Sequence, residues 1–116
     1  MAEIYATLAA APAVVAIAGS HLYPLRLPEG LTAPAVTWQG IGGGVYTDLD
    51  GGSYDGRRVQ FNCWAPTLAK ADALHKVVRQ ALKPLGVCVS TNGETFEDDT
   101  KRYGVSFDFV FWEFDT

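Results

Sequence analysis

Two histidines and two cysteines are the residues of this chain whose side chains most often do chemistry. Neither His21 nor His75 has a cysteine or carboxylate at the spacing used by zinc sites, which favours structural roles for both. Cys63 lies at an inward position of an alternating segment, where cysteine acts as a small core residue. Two cysteines are too few for a disulfide framework, and this favours a reducing compartment. We therefore expect no catalytic residue, metal site or cofactor, and predict that the chain is not an enzyme.

A glycine-rich acidic segment, residues 42–57, is the other place where a ligand could bind. It lacks the Gly-Lys-Ser/Thr ending of a phosphate-binding loop. Its carboxylates offer oxygen ligands for calcium, but the spacing and final glutamate of an EF-hand loop are missing, so a solvated acidic loop is favoured.

Ordering so many glycines is costly in entropy, which predicts a mobile loop or a long hairpin at 42–57. A loop of this length in a small domain is usually functional. We expect an assembly arm that orders on contact through Tyr46, Leu49 and Tyr54, while Asp48, Asp50 and Asp55 keep it soluble. The alternative is a rigid hairpin whose glycines serve only its turns.

Composition limits the classes to which the protein can belong. The 116 residues fit a single domain spanning 1–116, and 48% hydrophobic and 19% charged residues are typical of a folded domain. The formal net charge of −4 argues against a protein that grips nucleic acid, although DNA could pass by it. No apolar run approaches the length of a membrane span, so no membrane partner is expected.

Hydrophobic periodicity predicts the elements that must position these side chains. Helices are predicted at 2–10, 13–18 and 67–83, and strands at 22–24, 35–39, 58–65, 85–91 and 102–114. Asn92-Gly93 is a strong signal for a hairpin turn. This order predicts an α+β, two-layer domain in which a mostly antiparallel sheet of four to five strands carries two helices on one face, with a long glycine-rich hairpin or loop.

The strand at 58–65 predicts two chemically different sheet faces. Val59 and Phe61 alternate inward, and with Phe107, Phe109, Leu74 and Val78 they are expected to form the helix-facing core. Gln60, Asn62 and Trp64 point the other way, and the last strand adds Trp112 to that face. Large aromatic side chains on a face that helices leave bare suggest a partner surface. The alternative is that the rings only cover the sheet edge.

The order of these segments resembles the phage tail completion, or tail terminator, family over nearly the whole chain. The most telling parts are the strand 58–65 followed at once by a helix, and the closing strand that ends in Phe111-Trp112. The other segments that carry the resemblance are Ile4 to Leu8, Val14 with Ile17, His21 to Pro24, the helix with Ala69, Ala73 and Leu74, and Tyr103 to Val110. All of these are packing motifs rather than catalytic ones.

The resemblance implies a structural virion protein that forms a hexameric ring at the head-proximal end of the tail tube. Such a ring stops polymerisation of the tube and offers the surface to which the head is joined. Its partners would be other copies of itself, the tail tube protein and a head-completion or connector protein, with DNA passing through without sequence-specific binding. The particle would assemble in the host cytoplasm. Two alternatives remain: a head-completion (stopper) or other connector ring, and a small-molecule binding protein or enzyme on the same fold.

Overall fold

The computed structural model describes residues 2–25, 33–47, 53–97 and 101–112, with residues 2–3, 41–47, 53–57 and 112 described by their backbone alone. Helices α1 and α2 are followed by three strands, helix α3, a single 3-10 turn and two further strands. Their bounds are α1 Ala2–Ala10, α2 Pro12–Ala18, β1 Leu22–Pro24, β2 Ala35–Thr47, β3 Ser53–Ala65, α3 Leu68–Leu82, the 3-10 turn Lys83–Leu85, β4 Gly86–Glu97 and β5 Arg102–Trp112.

The strands form one five-stranded sheet in the order β1-β2-β3-β5-β4. The short β1 pairs with β2 in parallel, and the other three pairings are antiparallel. This confirms the α+β prediction of a mostly antiparallel sheet with helices. The N-terminal helical region is divided at Ala11, because the residue before Pro12 avoids helical angles; its φ and ψ are −87° and 112°.

The β2–β3 pair is longer than the sequence pattern predicted. Past a register shift between Gly40 and Gly43, the backbone of 43–47 pairs with that of 53–57. We call the paired segments 43–47 and 53–57, with the residues between them, the arm. Residues 48–52, which include Leu49 and two carboxylates of the calcium hypothesis, lie outside the described residues. Whether the arm is mobile in a free subunit stays a prediction.

The predicted hairpin turn at Asn92-Gly93 is wrong, because β4 continues through both residues to Glu97. The pairing of β4 with β5 shifts register between Thr91 and Gly93, and Gly93 has a φ of +85°. A glycine at positive φ suits a β-bulge as well as a hairpin turn, so the dipeptide alone does not distinguish them. The bulge leaves Asn92 unpaired in the ladder and free to turn its side chain toward β5.

The core lies between α3 and the sheet. Thr67 caps α3 by accepting a hydrogen bond from the Lys70 backbone N–H at 3.3 Å, and the apolar stripe of the helix packs on β3 and β5. The rings of Phe61 and Phe107 stack with centroids 5.1 Å apart. The residues predicted for the helix-facing core are confirmed as buried: Val59, Phe61, Leu74, Val78, Phe107 and Phe109.

Trp38 also belongs to this core. It lies opposite Phe61 in the β2–β3 pairing, and only 8% of its surface is exposed. Gly86 at the start of β4 is required for a different reason. A Cβ at this position would overlap the carbonyl oxygen of Val110, so the close approach of β4 to β5 excludes larger residues there.

Candidate interaction surface on the open face of the sheet

The side of the sheet that the helices leave uncovered, here called the open face, holds three of the candidate residues. Gln60, Asn62 and Trp64 lie on it along β3, and each is partly buried. They pair with Asp108, Ser106 and Gly104 of β5, respectively. The alternation that predicted the two faces of β3 therefore places these three side chains together.

Contacts with three neighbouring residues fix the orientation of the Trp64 side chain. Its indole N–H donates to the hydroxyl of Thr37 at 3.3 Å, and the Arg102 guanidinium lies 5.6 Å from the ring centroid. The ring also covers Gly104, where a Cβ would come within 2.8 Å of it. A tryptophan fixed in this way presents its remaining exposed surface in one orientation, which lowers the entropic cost of binding a partner.

A carboxylate network lies beside Trp64 on the same face. The Asp108 side chain accepts hydrogen bonds from Arg58 at 2.7 and 3.1 Å and from Asn92 at 2.9 Å. Asn92 in turn accepts from the Ser90 hydroxyl at 2.8 Å. Asp108 is only 5% exposed, so its charge is compensated by the partners that β3 and β4 supply.

The alternation of β3 and β5 places Arg58 and Asp108 on this face, but the pattern alone does not show that they are connected. The sequence signal for this network is an aspartate in the middle of an aromatic-rich strand. A buried carboxylate at such a position needs hydrogen-bond partners from the neighbouring strands. Its partner Asn92 reaches Asp108 only through the bulge in β4, and a hairpin turn at that point would have removed the contact.

The remaining candidate residues that the structure describes lie at register positions away from Trp64. The backbone of Trp112 pairs with Gly56 at the end of β5, where the arm begins, and Tyr46 pairs with Tyr54 within the arm. Leu49 lies outside the described residues. The candidates therefore occupy three places in the strand register: around Trp64 in β3, at the end of β5, and along the arm.

A second surface lies on the helix side at the edge of the sheet. The last two turns of α3 and the start of β4 enclose a groove of about 660 Å³. Lys76, Arg79 and Lys83 supply its basic rim, and Cys88 and Phe109 supply its apolar part. Gln80, Gly86 and Val87 complete the lining. We call this the basic groove.

His75 and Cys63 are both buried in the core. Burial, with Arg79 nearby, lowers the pKa of His75, whose ring packs on Phe107 with centroids 5.2 Å apart. Burial raises the pKa of the Cys63 thiol, which is the opposite of what a reactive thiolate needs.

The described residues, 2–25, 33–47, 53–97 and 101–112, contain neither a metal-binding cluster nor a membrane-spanning helix. Within these ranges no three histidine, cysteine or carboxylate side chains are grouped so that they could hold a metal ion. No helix there is long and apolar enough to cross a membrane.

Comparisons with known proteins point to one class. The family described as "Tail completion protein gp17" matches the chain over residues 2–113. A similar solved structure is a chain of the "Virion of native gene transfer agent (GTA) particle", with 17% identity, a TM-score of 0.59, and coverage of 94% of this chain and 90% of that chain. At this identity the likeness shows the fold. No curated protein sequence matches the chain.

Proposed function

The chain belongs to the tail completion protein gp17 family and is a structural protein of a phage tail, and we propose that it forms a hexameric ring that ends the tail tube at the head-proximal side. The ring stops polymerisation of the tube, offers the surface to which a head-completion or connector protein attaches, and lets DNA pass. The observation that carries this proposal is the family match over residues 2–113.

The gene transfer agent likeness agrees with the proposal at the level of fold. A virion chain with a different sequence shares this α+β architecture over 94% of the present chain. The formal net charge of −4 suits a ring through which DNA moves, because an acidic balance does not trap phosphates.

We infer that the open face contacts another virion subunit. Trp64 is partly exposed yet fixed by Thr37 and Arg102, which suits a preorganised aromatic anchor. Gln60 and Asn62 beside it supply hydrogen-bonding groups, so the face has the mixed character of a protein interface. Trp112, at the end of β5, is proposed to extend the same contact.

The arm is proposed to take part in assembly through Tyr46, Leu49 and Tyr54. Its glycines make one fixed conformation costly for a free subunit, and contacts made on assembly would offset that cost. Hydrogen exchange tests this: we expect fast exchange in free subunits and protection in the tail-bound ring. Strong protection in the free monomer would instead favour a rigid hairpin.

The proposed role is tested with purified tail tube protein of the same virus. Tubes grown with and without this chain are measured by negative-stain electron microscopy. We expect the chain to bind one tube end and to stop further growth. Binding to a connector protein with no effect on tube length would instead support a stopper or connector ring.

A pair of tryptophan variants tests the open face. Trp112→Ser is expected to weaken assembly with the tube more than it lowers the melting temperature of the subunit. Trp38→Ser is the matched control, because Trp38 is a core residue and its loss should lower the melting temperature. Equal, large losses of folding and assembly for Trp112→Ser would show that this ring is core.

A further inference from the structure

The basic groove carries positive charge that the described part of its own subunit does not neutralise. Lys76 is paired with Asp72 at 3.0 Å. Within the described ranges of the chain, neither Arg79 nor Lys83 forms an ion pair with a carboxylate. In a protein whose net charge is −4, two such cations beside one groove indicate an acidic occupant.

The groove also has an apolar part that solvent reaches. Cys88, opposite Phe109 in the β4–β5 pairing, is partly buried and packs on the helix-side core. The occupant should therefore combine carboxylates with aromatic or aliphatic side chains, because it must satisfy both the rim and the apolar surface.

The arm has this composition. Residues 46–55 contain Asp48, Asp50 and Asp55 together with Tyr46, Leu49 and Tyr54, and no lysine or arginine. The arm is therefore complementary to the groove in both charge and apolar character, and both belong to the same chain.

The register of the sheet makes it unfavourable for the arm to fill the groove of its own subunit. Arg57 pairs with Phe111, and Phe111 pairs with Gly86, so the arm leaves the sheet at the end where the groove lies. The paired segment from Gly43 to Thr47 carries the arm away from that end by roughly 17 Å, at about 3.4 Å per residue. The groove that such an arm can reach is that of a neighbouring copy.

We propose that in the ring the acidic arm of each copy binds the basic groove of the next copy. This inference rests on the proposed ring, whose cyclic symmetry requires two different surfaces that complement each other. Arm and groove are two such surfaces, and they would link the copies head to tail around the ring.

Charge reversal in both partners tests the proposal on the full-length protein. The groove variant is Arg79→Glu with Lys83→Glu, the arm variant is Asp48→Lys with Asp50→Lys, and a fourth protein combines all of these changes. Lys70→Glu is the control, since Lys70 is an exposed lysine near the other end of the same helix. Circular dichroism establishes that each variant folds, and light scattering with tail tube protein present gives the assembled mass.

We expect the groove and arm variants each to weaken ring assembly by about tenfold or more, and the combined variant to restore it. Lys70→Glu should assemble as the wild type does. Wild-type assembly should also weaken as sodium chloride rises from about 50 to 500 mM, because salt screens such pairs. Cys88 gives a second signal: its reaction with a thiol reagent should slow in the wild-type ring, where the arm covers the groove.

Three outcomes would contradict the proposal. A groove variant that still forms rings would show that the groove is not an interface between copies. An arm variant that forms rings but no longer binds the tube would assign the arm to the tube. A wild-type protein that stays monomeric with tube present would overturn the ring itself, which is a failure of the proposed function and is distinct from the other two.

Discussion

The two faces of the sheet differ in chemical character, although the same strands form both. On the helix side, alternate residues of β3 and β5 form an apolar layer around the stacked rings of Phe61 and Phe107. On the open face, the residues between them form hydrogen bonds across strands, as in the Arg58–Asp108 ion pair, with Trp64 held beside them. The first face holds the fold together, whereas the second carries ordered polar and aromatic groups, which we propose as a contact for another virion subunit.

The difference has a physical origin in the cost of exposing each face. Apolar surface gains stability roughly in proportion to the area removed from water, so the helix-facing layer is the main source of stability. A polar network gains little net free energy because it exchanges water for protein partners. The open face can therefore be changed without unfolding the domain, and this separation is what mutations should test.

The largest expected effect is on the helix side. Phe107→Ala removes a fully buried ring and should cost about 3–5 kcal/mol, out of a total of about 5–15 kcal/mol for a typical domain. Denaturant unfolding measures the loss. Ser106→Ala, one residue away on the opposite face, is the control and should change stability little. A Phe107→Ala protein with an unchanged melting temperature would refute the assigned core.

A smaller effect is expected on the open face. Asp108→Ala should destabilise the domain by about 1–2 kcal/mol, because it removes the acceptor shared by Arg58 and Asn92. The loss stays below that of a fully buried ion pair, since the Arg58 side chain is 39% exposed and can return to water. A double-mutant cycle with Arg58→Ala isolates the pair, and a coupling free energy near zero would show that the contact contributes nothing.

His75 is the exception on the helix side, because it is a titratable group among apolar neighbours. Burial holds its pKa below the ordinary value of 6.5, with Arg79 and Lys76 acting in the same direction and Asp72 opposing them. The unfolded chain therefore binds the proton first as the pH falls. Stability should be fully present above about pH 6.5 and decline below it.

Unfolding free energies measured between about pH 7 and pH 5 check this effect, which we expect to be smaller than that of Asp108→Ala. His75→Gln should flatten the decline. His21→Gln is the matched control, because the chain has only two histidines and His21 lies outside the core. An equal decline in His75→Gln would assign the acid sensitivity to other groups.

The cysteines give the smallest effect, a difference in reactivity without a change in fold. Cys63 is buried on the helix side, and burial raises its pKa, whereas Cys88 lies partly exposed in the basic groove. Ellman's reagent should modify one thiol in the folded subunit and both in denaturant. Cys88→Ala should remove the fast reaction. Rapid modification of two thiols under native conditions would show that the core opens readily.

The faces of β3 and the core of α3 were predictable because each follows a regular period, two for the strand and 3.6 for the helix. The extension of β2 to Thr47 was not, because Gly42, Gly43 and Gly44 have low strand propensity and only pairing with β3 places 43–47 in a strand. The contact of Asn92 with Asp108 was not predictable for a related reason. It depends on a β-bulge in β4, and the dipeptide Asn92-Gly93 is compatible with a bulge as well as with a hairpin turn.

The open-face site was therefore only partly predictable. Trp64, Gln60 and Asn62 follow from alternation alone, whereas the partners that hold Trp64 come from β2 and β5 and depend on the register between strands. The basic groove was not predictable from the sequence, because it forms only where the end of α3 packs beside β4. Charges on a helix face look solvated until the packing beside them is known.

The central claim is that this chain assembles into a ring on the end of the tail tube. The most direct test is the assembled mass of the purified protein, measured with and without tail tube protein. We expect a species of about six times the subunit mass of 12.5 kDa bound at a tube end. A protein that remains a 12.5 kDa monomer in the presence of tubes, and leaves their length unchanged, would contradict it.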